Sequence, residues 1–222
     1  MPLNILTKRI SFGHTTVGKL LGFIVDLLII IIIAIAASML VKTFLVRSFY
    51  IPSESMVPTL EVNDNVLVNR LTPSVIPLEH GNIIVFKDAQ NWMETTPTVN
   101  TPTTMETLTS FIMLSEPSDQ KYLVKRVIGL PGDHIKCCSP DGYLLVNDKE
   151  YKEAYLAKDT LPSLIGFDIE VPKGKVWVMG DNRSNSSDSR YHQDTNGGFI
   201  NESDIIGRAF VRTLPVSRFS WL

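Results

Sequence analysis

Residues 20–41 carry one charge, Asp26, between Lys19 and Lys42. About 20 apolar residues suffice for an α-helix to cross the hydrocarbon core of a bilayer, so this run is long enough to span a membrane. A removable secretory leader is the competing reading, with an apolar region of roughly 7–15 residues ending at small residues. Ala36, Ala37 and Ser38 could supply such an end. However, apolar character continues through Phe44, Leu45 and Val46, which leaves no obvious mature terminus and favours a retained anchor. Lys8, Arg9 and Lys19 precede the run, and Lys42 and Arg47 follow it. The slight bias places the N-terminus in the cytoplasm, with Asp26 near the inner boundary, where a charge costs less than at the midplane. The expected organisation is a cytoplasmic tail at 1–19, a transmembrane anchor at 20–41, and an extracytoplasmic domain at 42–222, held by a single pass in the cell membrane.

A chain of 222 residues accommodates one such span and one globular domain with its own core. Its 21 Lys plus Arg against 23 Asp plus Glu give a formal charge of -2, which provides no broad positive field for nucleic acid. The only cysteines, Cys137 and Cys138, are adjacent, so they cannot cross-link distant elements. A disulfide between neighbours is strained, and the plainer reading is two small residues on a strand. Their spacing matches no zinc site, and the redox compartment stays open.

Beyond the span, residues 66–68, 83–86, 122–128, 143–146 and 176–179 are rich in β-branched and aromatic side chains and read as strands. Pro131-Gly132, Pro140-Asp141-Gly142, Pro172 to Gly174 and Gly197-Gly198 punctuate them. No other long segment has a helical apolar period. The fold class is therefore mostly β: an N-terminal transmembrane helix followed by an antiparallel β domain. Residues 91–120, rich in Thr, Pro, Ser and Met with an apolar island at 111–114, read as a long loop or insertion. Residues 134–170 read as a small elaboration with a hairpin around Pro140 to Gly142, and no internal repeats occur.

Three segments carry chemistry. The first is Ile51-Pro52-Ser53-Glu54-Ser55-Met56-Val57-Pro58-Thr59-Leu60. Prolines fix φ and restrain the residue before them, so the segment can hold a hydroxyl in one orientation, although serines between prolines also make plain turns. The second, Tyr122 to Asp133, places Lys125 on one strand face with Leu123 and Val127. An ammonium in apolar surroundings loses pKa from about 10.4 towards the range where it can act as a base for a serine hydroxyl. The plain alternative is a lysine snorkelling at a strand edge. The third, Gly180 to Tyr191, is dense in Asp, Asn, Arg and Ser and could be a solvated loop. It departs from a calcium loop because Arg183 stands where an oxygen ligand is required. Asn-x-Ser triplets at Asn182, Asn185 and Asn201 matter only in a glycosylating pathway.

Taken in this order behind an apolar span, the three segments resemble the boxes of the bacterial type I signal peptidases, a family of Ser/Lys serine proteases. The resemblance covers roughly residues 44–90, 120–148 and 171–214. It implies that Ser55 is the nucleophile and Lys125 its general base. Ser53 and the backbone N–H of Ser55 would form the oxyanion hole, and Ser186 would orient the lysine amine. It also implies structural ion pairs, Arg126 with Asp181 and Asp188 with Arg190. Substrates would be secretory preproteins cleaved through an acyl-enzyme after small residues at -1 and -3. The partners implied are membrane lipid and proximity to the secretion translocase, with no nucleic acid and no metal or other cofactor. The seven residues between Arg47 and Ser55 reach at most ~25 Å, which confines the serine near the bilayer.

The sequence departs from the family pattern at Asn82, where an Asp is common, and at His192 to Asn196, an insertion before Gly197-Gly198-Phe199. His14, His80 and His134 lie away from the serine box, whereas His192 with Asp188 or Asp194 and a serine would be the one alternative triad. Two rival functions remain at this level. A self-cleaving Ser/Lys repressor would lack the anchor, and a non-catalytic anchored β domain binding exported proteins would have no need of Ser53, Ser55, Lys125 and Ser186 together.

Overall fold

The structure, a computed structural model, describes residues 16–93 and 122–222. It divides into two units, residues 1–44 and 45–222. The first is the helix α1 (Thr16–Phe44), 29 residues long, whose stretch Lys19–Met39 is long and apolar enough to cross a membrane. Among its described side chains, isoleucines and leucines are exposed on all sides of the helix.

The second unit is built from two sheets, and every strand pairing among the described residues is antiparallel, as expected. The larger sheet contains β1 (Val46–Tyr50), β2 (Asn65–Asn69), β3 (Ile83–Lys87), β4 (Tyr122–Gly129), β9 (Lys175–Met179), β10 (Ile200–Asn201), β11 (Ile205–Leu214) and β12 (Ser220–Trp221). Its order is β1-β2-β11-β3-β4-β9-β10, with β12 on β11. The smaller sheet, in the order β7-β6-β5-β8, joins β5 (His134–Cys137), β6 (Leu144–Val146), β7 (Lys149–Tyr151) and β8 (Phe167–Glu170). It occupies most of the expected elaboration, and the hairpin at Pro140 to Gly142 links β5 to β6. Cys137 closes β5 and is disulfide-bonded to Cys138, which lies beyond the strand, so the pair is not simply two small strand residues.

β3 shows why the large sheet is buried on both faces. Ile83 and Val85 join Phe49, Met56, Leu60 and Val68 in one core, while Ile84 and Phe86 join Val127, Val178 and Ile205 in another. A strand covered on both sides reads as a continuous apolar run, which is the pattern of β3. β4 lies beside it in the register Ile84↔Lys125 and Ile83↔Arg126, so two cations sit on adjacent positions of a strand whose neighbours are apolar. The longest strand, β11, was absent from the strands read from sequence. Its inward positions are Ile205, Gly207, Ala209 and Val211, two of them small. A Cβ at Gly207 would run into the Asn69 carbonyl, so glycine there permits the close approach of β2. Of the stretch expected as a loop or insertion at 91–120, residues 91–93 are described, with Trp92 buried in the second core, and the rest, including the apolar island at 111–114, lies outside the described residues.

Candidate active site

Ser55 begins a tight turn in which the Val57 N–H donates to the Glu54 carbonyl and the Leu60 N–H to the Met56 carbonyl. Ile51, Met56 and Leu60 are buried in the first core and fix that turn to the sheet, leaving Ser53 and Glu54 exposed and Ser55 buried. Asp64 closes the turn at its base, accepting from the Glu61 N–H at 2.8 Å. The nucleophile candidate is therefore held by apolar anchors on either side of a short polar rim.

Lys125 projects from β4 and is 2% exposed. Its Nζ lies 2.7 Å from Ser55 Oγ, the only partner recorded for it among the described residues. Desolvation lowers its pKa to about 8, helped by the Arg190 charge and opposed by Asp188 and Asp181. An amine of that pKa is neutral in about a tenth of molecules at pH 7 and in most of them above pH 8, and a neutral amine can accept a hydroxyl proton. Ser53 Oγ stands 3.4 Å from Ser55 Oγ at the rim. The Ser55 N–H donates to no protein acceptor among the described residues.

The loop after β9 packs directly on the nucleophile. The Asn182 N–H donates to the Ser55 carbonyl at 3.0 Å, and Asn182 Nδ2 donates to the Glu54 carbonyl at 3.2 Å. Gly180 has no room for a side chain, because a Cβ there would meet Ser186 Oγ and the Ser55 carbonyl. Asp188, fully buried, accepts from the Gly180 N–H at 2.9 Å and from Arg190 Nε at 2.8 Å. Arg126 donates from Nε to Asp181 Oδ1 at 2.7 Å and from Nη1 to the Gly81 carbonyl at 2.6 Å. Thr59, at the end of the serine turn, donates to Asp181 Oδ2, so this carboxylate ties the turn to β4.

Ser53, Ser55, Lys125 and Ser186 are thus brought to one place, with Arg126–Asp181 and Asp188–Arg190 beside them. One expected contact is not made. Among the described residues the buried hydroxyl of Ser186 has no hydrogen-bond partner and is not bonded to the lysine amine; it lies where a Cβ on Gly180 would meet it. The histidine triad is not assembled either. His192 stacks on Trp92 with ring centroids 4.6 Å apart and meets Ser187 Oγ at 2.7 Å, but among the described residues no carboxylate bonds it, and Asp188 is committed to Arg190 and Gly180. His80 lies against Asp133 and His134 against Asp168. Asn82 serves as a turn acceptor, taking the Glu79 N–H at 3.2 Å, which replaces any ion pair at that position.

Several residues here were not singled out from the sequence. Thr59 acts through its hydroxyl on Asp181, and Gly180 through the close approach of its backbone to Ser55 and Ser186. Glu153 and Tyr155, from a stretch with no readable pattern, meet Arg183 in the interior. A carboxylate two residues after a short strand is an ordinary surface signal, so nothing in the string marked Glu153 as buried.

A mostly β domain that sets a buried lysine amine against a serine hydroxyl has the makings of a serine hydrolase. The chain belongs to the signal peptidase family, peptidase S26, whose family pattern matches residues 24–214. It is 35% identical to a probable signal peptidase I of Mycobacterium leprae over 86% of this chain and 76% of that protein. A signal peptidase I of Mycobacterium tuberculosis is 34% identical over 86% and 72%. Signal peptidase I P of Bacillus subtilis subsp. natto is 33% identical over 88% and 91%. Among solved structures, a signal peptidase I of Enterococcus faecalis V583 overlaps 59% of this chain and 95% of that one, at 23% identity and a TM-score of 0.37.

Proposed function

We propose that this chain removes signal peptides from secretory preproteins, with Ser55 as nucleophile and Lys125 as general base. The observation that carries the assignment is the 2.7 Å approach of Lys125 Nζ to Ser55 Oγ, with that amine almost wholly removed from water. Family membership supports the reaction and the substrate class.

The neutral amine of Lys125 takes the Ser55 proton as Oγ attacks the scissile carbonyl. The oxyanion is held by the Ser55 N–H and the Ser53 hydroxyl, both at the rim. The ammonium of Lys125 then protonates the departing amine of the mature protein, and the signal peptide stays esterified to Ser55. Water deprotonated by Lys125 attacks that ester and releases the peptide. Arg126–Asp181 and Asp188–Arg190 keep the serine turn, β4 and the 180–190 loop in register. A preprotein bound as an extended strand would gain affinity from main-chain bonds and specificity from shallow pockets for small residues at -1 and -3.

The apolar helix α1 supports a single membrane anchor. The excess of basic residues before it supports a cytoplasmic N-terminus and a catalytic domain on the outer face. Membrane lipid and the secretion translocase would then be its neighbours.

The test is cleavage of a preprotein whose signal ends in Ala-x-Ala by the detergent-solubilised full chain, from about pH 6 to about pH 10. The wild-type rate should climb with pH and reach half its plateau near 8, the value to which burial lowers Lys125. Ser55→Ala and Lys125→Ala should be inactive while folded. Full activity in either variant removes that residue from the mechanism, and no cleavage by the wild type would favour a binding domain without turnover.

A further inference from the structure

The segment between β7 and β8, residues 152–166, has no helix or strand of its own, yet it touches all three buried arginines of the site. Arg183 is 1% exposed and all five of its N–H donors are used. Nε donates to the Gly180 carbonyl at 3.1 Å, and Nη1 to Glu153 Oε2 at 2.8 Å and the Pro162 carbonyl at 2.7 Å. Nη2 donates to Glu153 Oε1 and, at 3.4 Å, to the Tyr155 hydroxyl. Tyr155 in turn donates to Glu153 Oε1 at 2.6 Å, and its ring lies 3.8 Å from the Arg126 guanidinium carbon. Ser163 reaches Arg190 at 3.4 Å.

We propose that Glu153, acting through Arg183 and Tyr155, is a positioning residue that sets the Ser55–Lys125 pair. The inference rests on the roles given to those two residues above. Two routes lead from the carboxylate to the pair. Through Arg183 it holds the Gly180 carbonyl, and Gly180 is packed against the Ser55 carbonyl with no spare volume. The Arg183 carbonyl also accepts from Arg190 Nη2 at 3.0 Å, and Arg190 orients the Asp188 carboxylate that takes the Gly180 N–H. Through Tyr155 it presses on Arg126, the residue next to Lys125 on β4. A guanidinium cannot shed its proton, so without the Glu153 charge Arg183 must draw in other acceptors or water. Either response moves the 180–190 loop against the nucleophile. The charges that face Lys125, namely Asp181, Asp188 and Arg190, would then be redistributed.

The test compares Glu153→Gln with wild type in the full, detergent-solubilised chain, using the same preprotein well below the unfolding temperature of either. Misplacing a reacting pair without touching substrate should lower kcat between about tenfold and about a hundredfold and leave KM within about twofold. The pH at which the rate is half-maximal should also move. A folded Glu153→Gln with a lower Tm but unchanged kcat and pH profile overturns the proposal, because a purely structural carboxylate would change only Tm. Should Glu153→Gln fail to fold, Tyr155→Phe keeps the ring on Arg126 and removes the hydroxyl that bonds Glu153 and Arg183. A severalfold loss of kcat at constant KM supports the inference, and an unchanged kcat overturns it. Ser55→Ala run beside these separates the two levels: its cleavage of the preprotein would defeat the active-site reading itself, while its inactivity upholds that reading whatever Glu153→Gln does.

Discussion

Two kinds of buried cation lie side by side in this domain. Arg126, Arg183 and Arg190 each face a carboxylate, Asp181, Glu153 and Asp188 respectively, and each donates further to carbonyls and hydroxyls. Lys125, equally buried, meets a serine hydroxyl and no carboxylate within ion-pairing distance among the described residues. A paired guanidinium is fixed in place and in charge, so it serves as framework. An unpaired ammonium pays for desolvation in pKa and becomes able to exchange its proton. The difference between framework and chemistry at this site therefore lies in who received a counter-ion.

The largest expected effect tests the unpaired cation. Lys125→Ala and Ser55→Ala should each lower kcat/KM by at least about a thousandfold, measured by preprotein cleavage. Next comes a break on the paired side. Asp181→Asn leaves Arg126 without its counter-charge in the interior and should reduce stability by about 3–5 kcal/mol, read from the midpoint of urea unfolding. A substitution of Lys125 that keeps its length and removes its charge should act in the opposite direction. With the folded pKa at about 8 against 10.5 for an ordinary lysine, the unfolded chain holds the proton more tightly. Wild-type stability should therefore rise with pH between those two values. Lys125→Met should be more stable than wild type by about 3 kcal/mol below that window, and the advantage should vanish above it. If Lys125→Met is instead less stable at neutral pH, the lysine is better compensated than the comparison holds. The smallest change is Ser186→Ala, which removes a buried hydroxyl without a partner. Its stability should stay within about 1 kcal/mol of wild type, and its kcat should fall by less than about tenfold, in contrast to Lys125→Ala.

The sequence made some of this legible and hid the rest for identifiable reasons. α1 and β3 announce themselves because both are unbroken apolar runs, the first long enough to cross a membrane and the second covered by core on both faces. β11 does not, because its inward positions include Gly207 and Ala209, whose value lies in letting β2 approach, a contact between strands far apart in the chain. Ser55 stands out between Pro52 and Pro58, and Lys125 through its place among β-branched residues. Glu153 has no such frame: only its meeting with Arg183, 30 residues further on, makes it an interior residue.

What the sequence determined by itself is the local chemistry: an apolar span, alternating strands, a serine between prolines, and a lysine where a strand would put it among apolar neighbours. These follow from backbone stereochemistry and the cost of exposing apolar surface, which act over a few residues. Only the tertiary structure decided which groups meet. It brought Lys125 to Ser55 across 70 residues, gave each buried arginine its carboxylate, withheld one from the lysine, and left the Ser186 hydroxyl without a partner among the described residues. Desolvation and ion pairing depend on what surrounds a group in space, and a one-dimensional order does not contain that.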